Sequence, residues 1–515
     1  ILPILALTFL IYPFISHYDF MPDRLLTRPY DLGDIFGQMY LKMEGIYSTA
    51  IGASVSFIFL FILFGAFLAK SGMGQLFNDL ALALAGHKQG GPAKVAVISS
   101  GFMGSINGSA VGNVVGTGVF TIPMMKRVGY NANFAGAVEA SASVGGQILP
   151  PIMGASAFIM AETTGVKYST IALAAFFPAL LYYLGVIAQV HFRAGKDNLK
   201  GIPKADLPKV KEVLLARGHL LIPIFALVYF LSESVPINFA AFYTIIISVI
   251  VSQFKKETRM SFKDIVDALI SGAKQSLPVM AACAVVGIII GTVSLTGFAS
   301  VMISMITSIG KDSLFLTLFL TMLASMVLGM GLPSIPAYII TATMAAPAIA
   351  GLGVPVLVAH LFVFYFGLFA NITPPVALAS FAGAGIAGGD PMKTGWQSLK
   401  LALAGFIVPF MFVYNPAMLY IDTTGLTSMN VTEFPAPPIL SMIMIAVTSI
   451  VGVISLGAAV EGYFKSRMNM IERLILAAGA LMLIIPELYT DIAGMFIVIG
   501  MAMFNLNKSK RLSTI

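Results

Sequence analysis

Residues 145–151 read Gly-Gly-Gln-Ile-Leu-Pro-Pro, in the middle of the apolar stretch 133–163. Proline lacks an N–H and clashes with the preceding turn, so the pair Pro150-Pro151 splits a helix and frees carbonyl groups. The same break returns 224 residues later. Gln147-Ile148-Leu149-Pro150-Pro151 aligns without gaps on Asn371-Ile372-Thr373-Pro374-Pro375, inside the apolar stretch 356–386. Ala155-Ser156 then falls on Ala379-Ser380, Pro123 on Pro347, Gly129 on Gly353 and Gly86 on Gly310. Because the helix-breaking residues coincide, the chain reads as two related halves.

Each break follows an apolar stretch that is itself interrupted. Stretch 92–125 is broken at Gly104-Ser105-Ile106-Asn107-Gly108-Ser109, and stretch 313–349 at Gly329-Met330-Gly331-Leu332-Pro333-Ser334-Ile335-Pro336. Arms of roughly 12 to 16 residues span only about 18–24 Å as helix. That is too short to cross a bilayer and long enough to enter and return, so both are expected to be re-entrant helical hairpins with polar tips. Irregular backbone at that depth must be buried in protein or line a cavity.

The wider composition sets the medium. Of 515 residues, 58% are hydrophobic and 10% charged, against about 25% charged in an average soluble domain. Apolar runs such as 50–69, 168–192, 397–420 and 436–460 have the roughly 20 residues needed to cross a bilayer. The expectation is an all-α polytopic membrane protein with about twelve transmembrane helices plus the two re-entrant hairpins. The net charge of +7 is assigned to cytoplasmic loops rather than to nucleic acid. The one cysteine, Cys283, lies in an apolar run, so it reads as a small buried hydrophobe and excludes a disulfide framework.

Loop charge sets orientation. Segments 193–217, 255–274 and 465–473 and the tail around Lys508, Lys510 and Arg511 are rich in Lys and Arg and belong in the cytoplasm; segment 421–434 has neither and belongs outside. The first hairpin is then entered from the cytoplasm, near Lys88 and Lys94, and the second from outside. The repeats are inverted, as in many secondary transporters, with a site at the midplane. Residues 31–46, 73–86, 261–273 and 297–309 look amphipathic; 73–86 and 297–309 precede the hairpins and suit the interface, while 31–46 and 261–273 read equally well as solvated connectors. Residues 1–16 read as the end of a membrane span, which predicts that the chain begins inside a longer protein.

At the breaks, unwound carbonyls beside Ser, Thr, Asn or Gln suit Na+, and helix N-termini suit anions. Two cation sites are expected: Ser105, Asn107 and Ser109 facing Gly145, Gln147 and Pro150, and Gly329, Gly331 and Ser334 facing Asn371, Thr373 and Pro374. Carboxylates of a substrate would sit between the tips. The bland alternative is that these small residues only allow close helix packing. Glu139, an ionisable group at membrane depth, is open to three roles: binding a proton, pairing with a cation, or hydrogen-bonding to a hairpin. His360 reads as a satisfied core histidine, and Glu162 and Asp390 as interfacial.

Glycines, polar tips and proline pairs in this order resemble a known family. The stretch Ser105–Glu162 (SINGSAVGNVVGTGVFTIPMMKRVGYNANFAGAVEASASVGGQILPPIMGASAFIMAE) is similar to the large membrane subunit of tripartite ATP-independent periplasmic (TRAP) transporters, and more narrowly to the fused permease of the TAXI branch. GMGLPSIPAYIITATMAAPAI and NITPPVALASF resemble the family's second hairpin and second broken helix. The resemblance covers roughly residues 47–420, and three extra spans at 436–505 suit the fused TAXI form.

That resemblance implies import of a small carboxylate across the bacterial inner membrane. It also implies coupling to Na+ (with H+ as the alternative), a periplasmic TAXI-type substrate-binding protein and an elevator motion. It implies Ser105, Asn107, Gly145 and Pro150 at one cation site and Gly331, Asn371, Thr373 and Pro374 at the other. Ser109, Gln147 and Ser334 are expected to touch substrate, with Glu139 as a coupling residue. No organic cofactor, nucleic acid or catalytic group is expected; the other partner is membrane lipid. The expected division is 1–46 (end of a small-subunit-like scaffold region, too short for the several helices of that region), 47–217 (first repeat), 218–260 (linking scaffold helices), 261–421 (second repeat) and 422–515 (C-terminal helices). The competing readings are a stand-alone divalent-anion/Na+ symporter and, from another class, an intramembrane enzyme or channel. No HExxH or GxSxG pattern supports the enzyme.

Overall fold

The computed structural model describes residues 2–310, 313–423, 432–484 and 488–513, and among them every regular element is helical. Among the described residues seven helices are long and apolar enough to cross a membrane, and further apolar helices are shorter. The chain is a polytopic helical membrane protein.

One group of helices forms a frame. It comprises α1 (Leu2–Ile15), α2 (Thr49–Lys70), α9 (Ile222–Ser232), α10 (Ile237–Ser252) and the 35-residue α11 (Phe262–Thr296). α11 packs along α1 and α2, and α10 packs on α2 and α9. Lys70 at the end of α2 pairs with Asp264 and Asp267 at the start of α11, both at 3.2 Å, which fixes those two ends on one side.

The other group carries both broken stretches. After α3 (Met73–Ala85), α4 (Gly91–Asn107) and α5 (Ala110–Arg127) make the first hairpin, and α6 (Ala132–Gly146) and α7 (Ser156–Thr164) the first split helix. After α8 (Tyr168–Lys196) and the frame, α12 (Phe298–Gly310) leads to α13 (Leu314–Gly329) and α14 (Ser334–Met344), the second hairpin. α15 (Val356–Phe369) and α16 (Leu378–Ala387) are the second split helix. α3 follows directly on Lys70 and α12 directly on Thr296, so the hairpins enter from opposite ends of α11. Both breaks contain a cis proline–proline peptide, Pro150-Pro151 and Pro374-Pro375.

The halves interlock. α6 packs on both arms of the first hairpin and also on α16 of the second half. They cross glycine on glycine: a Cβ at Gly383 would stand 2.5 Å from the Gly136 carbonyl oxygen, so neither position has room for a side chain. After α17 (Pro391–Tyr414) come α18 (Ile439–Glu461), α19 (Met470–Met482) and α20 (Leu488–Ser513). α18 packs on α8 and α17, and α19 and α20 pack outside it.

Four expectations change. The arms of the first hairpin have 17 and 18 residues, longer than anticipated, because the helical pattern continues through Ser105 to Asn107 before Gly108 turns left-handed. Residues 261–273 are not a separate interfacial helix; Ser261 caps an unbroken helix that runs on to Thr296. Segment 31–46 is helical only over 32–41. The span expected over 397–420 runs instead from Pro391 to Tyr414 and ends in a short turn at Pro416–Leu419. Most of the segment assigned to the outside, 421–434, lies outside the described residues.

Candidate functional site where the two hairpin tips meet

Gly108 forms the first tip with φ +65°, and Ser109 caps the following helix by accepting from Gly112 N–H at 3.1 Å. Gly154 approaches so closely that a Cβ on Gly108 would sit 2.8 Å from its Cα. The Gly108 carbonyl faces the second tip, where it accepts from Gln147 Nε2 at 2.6 Å and from Ser334 Oγ at 3.3 Å. Gln147 Nε2 also donates to Ser334 Oγ at 3.0 Å. One carboxamide, placed by the first break, thus joins the two hairpins across 187 residues of sequence.

Gln147 is 1% exposed, and its Oε1 is buried with no hydrogen-bond partner among the described residues. Leaving such an acceptor unpaired costs about 1–3 kcal/mol, so it is a ready seat for an N–H, an O–H or a cation. Gln147 lines a cavity of about 380 Å³ together with Asn107, Ser109, Ser334 and Asn371 among others. Helices α5 and α14 both begin at this cavity. Pro333 precedes α14 without a side-chain cap, leaving its first N–H groups to an incoming acceptor. The three residues expected to touch substrate are therefore together.

The cation sets are less uniform. Near the first break, α4 and α6 meet end to end: a Cβ on Gly146 would lie 2.9 Å from Ser105 N. Ser105 Oγ turns back to donate to the Phe102 carbonyl at 2.8 Å, and Gly145 backs onto the Tyr182 ring. The Asn107 side chain is engaged inside its own hairpin. Near the second break, Asn371 reaches the cavity, whereas Thr373 Oγ1 donates to its own helix at Phe369 O, 2.8 Å away. Pro374 packs against Gly395. Among the described residues no cluster of three His, Cys, Asp or Glu could hold a metal. Neutral oxygens of this kind fit Na+ rather than a transition metal.

Glu139 is fully buried and accepts four hydroxyl hydrogen bonds: Ser100 at 2.6 Å, Thr117 at 2.5 Å, Thr121 at 2.5 Å and Ser143 at 3.3 Å. Of the three roles open in the sequence, the structure shows the bond to the hairpin. His360 is a bonded core residue, its Nδ1 2.8 Å from the Tyr338 hydroxyl. Asp390 caps α17, and Glu162 is exposed near the end of α7. Cys283 is buried.

A second cavity of about 610 Å³ adjoins the first, sharing Ile62, Asn107, Gly112 and Gln275. It runs between the first hairpin and the frame toward Gln75, Asn78 and Asp79 on α3. Burial raises the Asp79 carboxyl above its ordinary range, and Arg217, paired with it at 2.9 Å, opposes this. Neither cavity is lined by Lys or Arg among the described residues. Sequence reasoning missed Asn113, Thr117 and Thr121, whose four-residue spacing on α5 was the available signal. It also missed Gln275, the one polar side chain that α2 and α11 present to either cavity.

Comparison with known proteins agrees with this architecture. The family model described as "Tripartite ATP-independent periplasmic transporter, DctM component" matches residues 1–425. The chain is 26% identical over 227 residues to the 2,3-diketo-L-gulonate TRAP transporter large permease of Escherichia coli, covering 43% of this chain and 51% of that one. It is 29% identical over 147 residues to the C4-dicarboxylate TRAP transporter large permease of Pseudomonas aeruginosa (28% and 34%). It is 25% identical over 160 residues to the sialic acid TRAP transporter large permease of Vibrio cholerae (30% and 37%). The matched parts thus span about half or less of these relatives' own lengths.

Proposed function

We propose, from the premise that the chain belongs to the tripartite ATP-independent periplasmic transporter family as its DctM component, or large membrane subunit, that it imports a small carboxylate across a bacterial inner membrane. A periplasmic substrate-binding protein of the TAXI type delivers the substrate, and a Na+ gradient drives uptake. The observation that carries this reading is the Gln147 carboxamide, which joins the Gly108 carbonyl to Ser334 and keeps a bare Oε1 at the cavity where two helices begin.

The chemistry follows from those groups. A carboxylate placed against the start of α14 meets uncapped N–H groups and about half a positive charge from the helix dipole. The Ser109 hydroxyl adds a neutral donor worth about 1.5–3 kcal/mol to a charged acceptor, and Ser334 adds a second when its O–H turns from the Gly108 carbonyl to the substrate. With no Lys or Arg lining the cavities, the substrate's remaining charge is left for Na+. Ser105, Asn107, Gly145 and Pro150, and Gly331, Asn371, Thr373 and Pro374, are assigned to two such cations. The three named relatives carry carboxylic acids by their printed names, which supports that substrate class.

Twelve crossings and two re-entrant hairpins accommodate the helices described. The body containing both hairpins slides as an elevator against α1, α2, α10 and α11. Around the cavities, that wall is made of small or apolar residues such as Ile62, Gly65, Ala66 and Val279, with Gln275 the exception.

Uptake by proteoliposomes containing the full chain tests the reading, with C4 dicarboxylates and keto acids offered in the presence of a candidate binding protein. Uptake is expected only with both the binding protein and inward Na+. Gln147→Ala is expected to lower it at least tenfold, the loss of one to two hydrogen bonds at the site. Uptake of free substrate without any binding protein would point instead to a stand-alone divalent-anion/Na+ symporter, and uptake indifferent to Na+ would transfer coupling to protons.

A further inference from the structure

We propose that Glu139 is the positioning residue of the first hairpin tip, acting through a one-way chain of hydrogen bonds. The chain starts at the tip. Ser109 N–H donates to Asn107 Oδ1 at 3.1 Å, and Asn107 Nδ2 donates to Asn113 Oδ1 at 3.1 Å. Asn113 Nδ2 donates to Ser143 Oγ at 3.0 Å and to the Ser100 carbonyl at 2.8 Å. Ser143 Oγ then donates to Glu139 Oε1 at 3.3 Å, joining Ser100, Thr117 and Thr121 around the same carboxylate.

Every donor in this sequence points toward Glu139. With four hydroxyls donating to it, the carboxyl group of Glu139 serves as the common acceptor and fixes the sense of each bond that ends on it. Bonds in series polarise one another, and bonds to a charge are the strong ones. The inner members cannot exchange their partners for solvent, because Ser100, Asn113, Glu139 and Ser143 are all 0% exposed, whereas Asn107 and Ser109 at the tip are partly or fully exposed. Gly118 leaves no slack either: a Cβ there would come within 3.1 Å of Glu139 Cγ. An amide at position 139 is neutral and keeps one acceptor oxygen, so the bonds from Ser100, Thr117 and Ser143 to Oε1 weaken even where that oxygen stays, and Thr121 meets an NH2 group in place of Oε2. With the end of the chain weakened, the Asn113–Asn107 bond that holds the tip loses support.

The carboxylate therefore sets the shape of Asn107 and Ser109 without touching either. The inference does not need the transport reading, since the tip's accessibility can be measured without a substrate.

In the full chain with Cys283→Ala, a reporter thiol is introduced by Val111→Cys. Val111 lines the cavity beside the tip and takes no part in the bond chain. A control thiol is introduced at the second tip by Ile335→Cys, and alkylation by N-ethylmaleimide is timed in detergent. Glu139→Gln is expected to speed labelling at position 111 about fivefold or more. Asn113→Ala and Ser143→Ala are expected to do the same, which keeps the test available if Glu139→Gln folds poorly. The Glu139→Gln/Asn113→Ala double variant should label no faster than the faster single variant, because both cut one chain. Labelling at position 335 should stay unchanged throughout. The proposal is overturned by an unchanged rate at position 111, by effects that multiply in the double variant, or by equal acceleration at both tips.

Discussion

The two halves share a topology and differ in what holds it. In the first, α6 is stitched to both arms of its hairpin by polar contacts: Glu139 takes hydroxyls from Ser100 on α4 and from Thr117 and Thr121 on α5, and Asn113 reaches across to Ser143. In the second, the matching helix α15 offers one neutral side-chain pair, His360 with Tyr338. Its other contacts with the hairpin are apolar, with Tyr338 edge-on to Phe364 at 5.6 Å and Gly329 so close that a Cβ there would lie 2.8 Å from the Gly367 carbonyl oxygen, and Phe362 packs on Phe410 of α17 at 5.3 Å. Thr317, Thr321 and Ser325, one helical turn apart on α13, keep buried hydroxyls without partners among the described residues. Directional bonds specify one geometry, whereas apolar contacts trade partners at low cost when surfaces slide. A common backbone plan thus supports a stiff tip in one half and a more adaptable one in the other.

The largest expected effect tests whether the halves are one body at all. Gly383→Leu would drive a side chain into the Gly136 carbonyl at the crossing of α16 and α6. The cost should reach about 3 kcal/mol, the upper range for overpacking. Gly385→Leu, two residues on in a place with no atom within 4 Å, should stay within about 0.5 kcal/mol. Thermal unfolding in detergent compares the two, and equal melting temperatures would mean that the halves do not depend on this crossing.

A middle-sized effect separates polar from apolar cohesion. Glu139→Leu removes the shared acceptor of four hydroxyls, of which Thr117 and Thr121 can still turn to carbonyls of their own helix, and should cost about 2–3 kcal/mol. His360→Leu strands one, the Tyr338 hydroxyl, and should cost about 1–2 kcal/mol. The same unfolding measurement decides, and a larger loss at His360 would reverse the contrast drawn between the halves.

Much of this contrast was hidden in the sequence, for a physical reason. Breaks at Pro150-Pro151 and Pro374-Pro375 and tips at Gly108 and Gly331 are legible because Gly and Pro act on the backbone locally. The convergence of Ser109, Gln147 and Ser334 followed once the halves were aligned. Ser100 and Ser143 were not legible, since Ser in an apolar helix is common and only the relative rotation of three helices aims these two at Glu139. The cation sets were half legible. Position alone placed Ser105 and Thr373 near a break, but short hydroxyl side chains prefer a nearby carbonyl of their own helix, and both took one. The start of α11 was misread for a related reason: a charged, amphipathic turn with Lys263, Asp264 and Asp267 resembles an interfacial helix until its cap is seen to open a longer one.

The smallest effect is the most diagnostic, because one substitution should act with opposite sign in the two halves. Thr and Val are nearly the same shape, so Thr→Val removes a hydroxyl and changes little else. Thr121 Oγ1 donates to Glu139 Oε2 at 2.5 Å, and its loss should destabilise by about 1–2 kcal/mol. Thr321 Oγ1 is buried without a partner, so Thr321→Val relieves a desolvation cost and should be neutral or stabilising by up to about 1 kcal/mol. Parallel unfolding of the two single variants is sufficient. If Thr321→Val destabilises as much as Thr121→Val, the second hairpin uses its hydroxyls as the first does, and its tip is held by bonds rather than by aromatic packing.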